Sequence, residues 1–408
     1  MIDLKPFKGF LPYKEPPENL IAPSTDYLSE DKLDYLFKDN WNYINILNPQ
    51  VENDNTALFA KNYFQKMKKY EIIKKDNNLS FYLYKINHKS HIQLGFIALA
   101  NIDSFIHNYI KSHELIYENR AQERADQMLN LHAQIGPIYV AYNDIINLDN
   151  FLIETSNSKP HFHFSSFDGS IHSLWILNDK NKKEKFSELI NQIETLYICD
   201  GHHRISAMKK IYEFQHEHPN KKNNLNKYFM IAAFPKTKTK IYDYNRVIKD
   251  LNGLDLNNFL NLLSSNFVIK ESNNPYLPKK SRNFGMYHNK KWYHLFFKNE
   301  HLLDNNDILS KLDINIINNF CLKNLLGIEN ANTDDRIRFI AGCHGLIALE
   351  KKVDNNTNSI AFSIFPTQID DVIDIAENNL TMPPKSTWFE PKPLDGMVVY
   401  DFGENNYE

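Results

Sequence analysis

The chain has 408 residues, 47 Lys and Arg against 50 Asp and Glu, a formal net charge of -3, 42% hydrophobic and 24% charged residues. That length supports about two or three domains with separate cores, and the balanced charge excludes the basic footprint with which proteins hold nucleic acid. Cys199, Cys321 and Cys343 are widely spaced and form no C-x-x-C pair, which excludes a disulfide framework and a structural zinc site.

Met1-Ile2-Asp3-Leu4-Lys5-Pro6-Phe7 has neither a charged leader region nor an apolar one, and no apolar run approaches the roughly 18 residues that span a bilayer. A cytoplasmic protein without a membrane partner is expected. Residues 1–100 mix Pro-bearing loops with strand-like runs, Phe81-Tyr82-Leu83-Tyr84 and Gly95-Phe96-Ile97-Ala98-Leu99, and read as an N-terminal α+β region. Over residues 123–135, Met128, Leu131 and Ile135 share one helical face. Gly136-Pro137 is expected to stop that helix before Ile138-Tyr139-Val140-Ala141-Tyr142 resumes as a strand. Residues 186–193 are again helical in pattern and lead through Leu196-Tyr197-Ile198 into Asp200-Gly201-His202-His203-Arg204. Ile205, Met208, Ile211 and Tyr212 then recur at helical spacing, so residues 101–240 read as a compact α/β core. The polar stretch 219–227 reads as a surface loop. Residues 241–408 are expected to form a C-terminal α+β region, with strands near 291–297 and 361–365 and a helix near 369–377. The fold class expected is α+β with mixed α/β, and the sequence contains no repeat or heptad pattern.

The loop Asp200 to Arg204 has the composition of a phosphate grip. It falls where a strand gives way to a helix, so backbone N–H groups would lie at the helix's positive end. Gly201 allows close approach, His202 and His203 offer donors, and Arg204 can hold two oxygens at once. Neither G-x-x-x-x-G-K-[ST] nor G-x-G-x-x-G occurs in the chain. Upstream, His113 and Glu114 precede a helix bearing Arg120 and Arg124, one turn apart. Glu114, with His113 beside it, has the chemistry of a general base, and the two arginines that of an anion-facing pair. Near the C-terminus, Lys385, Ser386, Thr387, Trp388 and Lys392 lie in a proline-framed run, Met382-Pro383-Pro384-Lys385-Ser386-Thr387-Trp388-Phe389-Glu390-Pro391-Lys392. Prolines restrict such a loop, so its lysines could meet an anion preordered. Asn245 and Arg246, within Tyr244-Asn245-Arg246-Val247, are further polar candidates.

Taken together these runs resemble the bacterial and archaeal domain-of-unknown-function family 1015, whose members carry a D-G-H-H-R loop. The resemblance extends over Pro6-Phe7-Lys8-Gly9, Ala22-Pro23 with Asp26, Ile110-Lys111-Ser112-His113-Glu114, Gly136-Pro137, the Asp200–Arg204 loop, Tyr244-Asn245-Arg246-Val247 and the run 382–392. Where family members often have Pro-Tyr-Asp, this chain has Ser24-Thr25-Asp26. The central region also resembles the ParB/sulfiredoxin fold, and within it the free serine kinases, which place a glutamate, an arginine-bearing helix, a Pro-Ile-x-V strand and D-G-H-x-R in that order. This chain gives Glu114, Arg124, Pro137-Ile138-Tyr139-Val140 and Asp200 to Arg204.

The resemblance implies a kinase that uses ATP or ADP with Mg2+ to phosphorylate the hydroxyl of free L-serine. It places Asp200, Gly201, His202, His203 and Arg204 at the nucleotide phosphates and Glu114 as base, while Arg120, Arg124, Asn245, Arg246, Lys385, Ser386, Thr387, Trp388 and Lys392 are candidates for substrate contacts. The expected partner is a small hydroxyl-bearing metabolite, and homo-oligomer formation is left open. Two other readings stand beside it: sulfiredoxin-like cysteine repair, for which Cys199 lies before the Asp-Gly turn, and a ParB-like nucleotide-binding switch without turnover.

Overall fold

The computed structural model describes residues 2–23, 30–38, 41–50, 56–218, 227–304, 306–356 and 358–402. Ser24, Thr25, Asp26 and most of the expected loop 219–227 lie outside that set. Contacts divide the chain into two compact units. The first comprises Met1–Ser112, Ile116–Thr239 and Pro391–Glu408, and the second His113–Leu115 with Lys240–Glu390. This differs from the three regions expected, because residues 1–100 and 101–240 share one sheet and the chain returns to that unit at Pro391.

The first unit is built on nine strands: β1 (Leu4–Lys5), β2 (Phe81–His88), β3 (His91–Asn101), β4 (Ile110–Lys111), β5 (Ile138–Tyr142), β6 (Phe162–Ser165), β7 (Ile171–Leu177), β8 (Leu196–Asp200) and β9 (Tyr228–Pro235). Their order is β4-β8-β5-β9-β3-β2-β7-β6, with β1 beside β3. The β4–β8 and β5–β9 pairs are parallel and the others antiparallel, so the sheet is mixed. Every residue of β5 and β9 is buried, which explains why both read as unbroken apolar runs instead of alternating ones.

Five longer helices belong to this unit: α1 (Thr56–Lys69), α2 (Glu118–Leu131), α3 (Ile146–Ser156), α4 (Lys180–Ile190) and α5 (His202–Glu217). Helix α2 packs against α1 and α5. Helix α4 starts on Asp179, whose carboxylate accepts the Lys182 N–H, and its Phe186 stacks on Phe151 of α3 at 5.4 Å. The end of α2 corrects the sequence reading. The helix stops at Leu131, with His132 in the left-handed conformation at φ 53°, and Ala133–Gln134 pairs with Tyr400–Asp401 as a short antiparallel ladder. Ile135 therefore lies beyond the helix, in the core cluster with Phe10, Phe64, Leu131 and Val399.

The second unit is an antiparallel sheet of β10 (Tyr244–Ile248), β11 (Phe267–Ser272), β12 (Asn283–His288), β13 (Lys291–Phe297), β14 (Ile337–Ala341) and β15 (Ile360–Ile364), ordered β11-β13-β12-β15-β10-β14. Asn289 and Lys290, both at positive φ, make the tight turn between β12 and β13. Helix α6 (Leu346–Asp354) covers one face through Leu349 and Val353, against Val247, Tyr287 and Trp292. Helix α7 (Ile369–Glu377) opens on a reciprocal cap between Gln368 and Asp371. The architecture is mixed helix and sheet throughout, and no helix among the described residues is long and apolar enough to cross a membrane.

Candidate functional site

The strand-to-helix junction expected around the Asp-Gly-His-His-Arg loop is present: β8 ends at Asp200, Gly201 stands at φ 96°, and α5 begins at His202. A side chain at Gly201 would be strained in that conformation. A β-bulge between Ile198 and Asp200 interrupts pairing with β5, so Asp200 lies opposite Tyr139 and Cys199 is the extra residue. The loop's residues then separate. His202 is buried, Asp200 and Arg204 line one cavity, and His203 lines another.

The first cavity, of about 380 Å³, carries an alternating run of charge. The Lys392 ammonium donates to Asp200 Oδ1 at 2.7 Å. Asp200 Oδ2 lies 3.5 Å from Arg204 Nη2, and Arg204 Nη1 lies 3.3 Å from Asp395 Oδ1 while donating to the Pro137 carbonyl at 2.7 Å. Burial works against charge on Asp200, but Lys392 and then Arg204 outweigh it and hold the carboxyl at about 2, below its ordinary 3.8. Gly136 is required by this arrangement: a Cβ there would stand 1.8 Å from Asp395 Oδ1 and 2.6 Å from Arg204 Nη1. The Gly136-Pro137 pair thus gives the ion pair room on one residue and an acceptor on the next.

Arg124 completes the cationic side. Its Nη1 donates to Gln127 Oε1 at 2.8 Å, and Gln127 is itself anchored by donating to the carbonyls of Ile46 and Leu47. Lost hydration and then the like charge of Arg204 lower the pKa of the Arg124 guanidinium. Arg124 and Gln127 also line the second cavity, of about 620 Å³, together with Arg120, Glu123, Asn130, His203 and the apolar Ile46, Pro49 and Ala60. Arg120 sits over the Tyr117 ring at 5.5 Å, and that ring lies 6.0 Å from His203. The first unit therefore brings together Asp200, Arg204, Arg124 and Lys392 at one cavity, and Arg120, Arg124 and His203 at its neighbour. Gln127 and Asp395 escape the sequence reading. Gln127 could have been found three residues after Arg124 on the same helical face, whereas nothing local marks Asp395.

The remaining candidates belong to the second unit. His113 is buried; its carbonyl accepts the Met382 N–H at 2.8 Å and its Nε2 lies 3.5 Å from Thr387 Oγ1. Glu114 beside it is half-buried. Ser386 donates to the Pro383 carbonyl, Trp388 Nε1 donates to Glu390 Oε2 at 3.2 Å, and Asn245 Oδ1 accepts the Ile364 N–H at 3.0 Å. Arg246 is 1% exposed and Lys385 is exposed at φ 57°. The run 382–392 is divided, with Glu390 in the second unit and Pro391 onward in the first, so of its two lysines Lys392 alone belongs to the unit that holds Asp200. Cys199 is buried, its thiol pushed well up by burial and then by Asp200, and its Sγ points to the Tyr197 carbonyl at 3.7 Å. That is the opposite of the exposed thiolate that cysteine repair needs.

The chain belongs to the family described as protein of unknown function DUF1015, whose profile matches residues 4–315. None of the curated proteins matches it. Among solved structures it is similar to a free serine kinase mutant in complex with AMP, at 12% identity over 73% of this chain and 91% of that one, with a TM-score of 0.36. It is similar also to a C-terminally truncated SbnI from Staphylococcus aureus, at 10% identity over 73% and 85% of the two chains, with a TM-score of 0.38. A conserved hypothetical protein from Pyrococcus furiosus matches at 11% identity, over 73% and 94%, with a TM-score of 0.33.

Proposed function

We propose that the protein is a nucleotide-dependent kinase of small hydroxyl compounds, with free L-serine as acceptor and ATP or ADP as donor. The observation that carries this reading is the first cavity, where Arg124, Arg204 and Lys392 surround Asp200 and Asp395 at the start of α5. Phosphoryl transfer asks a protein chiefly for positioning and for cations at the transferring group, and three cations lining one cavity suit a chain of phosphates. Two carboxylates also line the cavity, and Mg2+ is commonly held by one or two carboxylates together with substrate phosphates. Asp200, kept ionised, and Asp395 fit that donor set, and the ion would neutralise charge on the phosphoryl oxygens. Nucleotide binding would draw Arg204 and Lys392 partly away from the two aspartates and toward phosphate.

In the reaction, the bond from the terminal phosphorus to its bridging oxygen breaks and a new one forms to the serine Oγ. The serine proton passes to a base, and the shortened nucleotide leaves. Glu114 is assigned as that base on the shared order of motifs, and the internal bonds of His113 support a positioning part for it. The contacts of Asn245, Ser386, Thr387 and Trp388 within the second unit likewise support structural parts for those four.

The test is incubation of the purified chain with ATP or ADP, Mg2+ and L-serine, followed by mass spectrometry. O-phosphoserine formed in proportion to enzyme is expected. Nucleotide binding with no phosphorylated product, from serine or from a panel of hydroxyl metabolites, would refute turnover and leave the nucleotide-binding switch.

A further inference from the structure

Arg246, in the middle of β10, is an unusual residue to find inside a sheet domain. It is 1% exposed, and no carboxylate lies within ion-pair reach of it among the described residues. Its guanidinium donates to the backbone carbonyls of Tyr244 and, at 3.1 Å, Lys385, and lies over the Phe339 ring at 4.7 Å. Its buried Nε has no hydrogen-bond partner. Burial without a counter-charge pulls its pKa down to about 9. A buried cation of this kind is costly unless something compensates it.

Tyr244, Phe339 and Lys385, which the Arg246 guanidinium meets, all line one cavity of about 410 Å³ in the second unit. The charge therefore lies directly behind that cavity's wall, where a low dielectric lets it act over several ångströms. Two further cations line the cavity, Arg338 and Lys385, and neither forms an ion pair among the described residues. Lys385 holds a left-handed backbone, uncommon for a side chain with a Cβ, and its ammonium lies 5.4 Å from the centre of the Tyr244 ring. The acids on the rim are already engaged, Asp334 by Arg336 at 2.9 Å and Asp335 by Lys249 at 3.8 Å. Tyr244, Ile337 and Phe339 supply an apolar wall.

We infer that this cavity is a second ligand site, separate from the phosphate cavity of the first unit, and that it takes a small monocarboxylate with a flat apolar body. The carboxylate would lie between Lys385 and Arg338, drawn also by the buried charge of Arg246, with the apolar part against Tyr244 and Phe339. A multiply charged phosphate fits less well, because its further charge would face the apolar wall of Tyr244, Ile337 and Phe339.

The probe is benzoate, with neutral benzamide and inorganic phosphate as the other arms, titrated against the full chain by ligand-observed NMR and thermal unfolding. Benzoate should bind and raise the melting temperature, and benzamide and phosphate should not. Lys385→Gly keeps the left-handed backbone and Arg338→Ala is exposed, so both variants should fold. Together they should weaken benzoate by roughly tenfold or more, since each removes a charge-assisted contact, and Arg338→Ala alone should weaken benzoate while leaving nucleotide binding unchanged. Absence of benzoate binding, equal binding of benzamide, or an undiminished affinity in the double variant would overturn the inference. Preferential binding of phosphate would replace the carboxylate with a phosphate ligand and would equally overturn it.

Discussion

Replacing Gly136 by Ala isolates the role of the Arg204–Asp395 pair. Gly136 is not at positive φ, so alanine meets no backbone penalty, and on chain entropy alone the change would stabilise by about 0.4–1 kcal/mol. The added Cβ, however, would stand 1.8 Å from Asp395 Oδ1 and 2.5 Å from its Cγ, with Arg204 Nη1 at 2.6 Å. Asp395 must rotate away and release Arg204. Overpacking of this kind costs about 1–3 kcal/mol, so the net expectation is a loss of about 1–2 kcal/mol in urea unfolding with the slope unchanged. Nucleotide affinity should fall as Arg204 loses its position. The second arm is Asp395→Ala, alone and combined with Gly136→Ala. Because truncating Asp395 removes the clash, the two changes should be less than additive by about 0.5–3 kcal/mol. A Gly136→Ala chain as stable as the parent, or strictly additive costs, would show that the pair does not cross over this glycine.

Glu114→Gln should leave nucleotide affinity nearly intact while turnover falls by about 10²–10⁴-fold; wild-type rates of serine phosphorylation would move the base elsewhere. The Asp200 carboxyl, held at about 2 against an ordinary 3.8, contributes stability that is complete above its unfolded pKa and is lost as the pH falls toward 2. Asp200→Asn should therefore flatten the acid limb of an unfolding curve between about pH 4 and 2, read by near-UV circular dichroism; an unchanged limb would refute the assignment. Cys199, buried with its thiol pushed up, should resist iodoacetamide at pH 8 in the native protein and react only after unfolding. Labelling of native Cys199 as fast as that of the partly exposed Cys343 would contradict it.

What could be read from the sequence was local. The apolar run before Asp200, the glycine, and the recurrence of Ile205, Met208 and Ile211 place β8 and α5 because each signal lies within a few residues of its consequence. Helix α7 was legible for the same reason, its apolar face and polar start both lying inside the segment. What could not be read was long-range pairing. The end of α2 depends on Ala133–Gln134 being taken up by Tyr400–Asp401, and Lys392 and Asp395 reach partners 192 and 191 residues away. The same limit explains the regions: nothing near residue 100 reveals that β3 pairs with β9, so one sheet was divided at a boundary it does not have. Arg246 shows the converse, since its residue type marks it as a polar candidate in the sequence while its burial without an acid comes only from the fold.

The return of the chain at Pro391 sets an order on synthesis. Residues 240–390 must leave the ribosome before Lys392 and Asp395 do, so the first unit waits for nearly the whole of the second to be made before its charged cavity holds all its ion pairs. Until then Arg204 has one of its two carboxylates, Asp200 has one of its two cations, and the edge at Ala133–Gln134 has no strand beside it. A nascent chain arrested before residue 391 would present a sheet largely formed and a cavity still incomplete, because its last two charged residues follow the whole of the second unit.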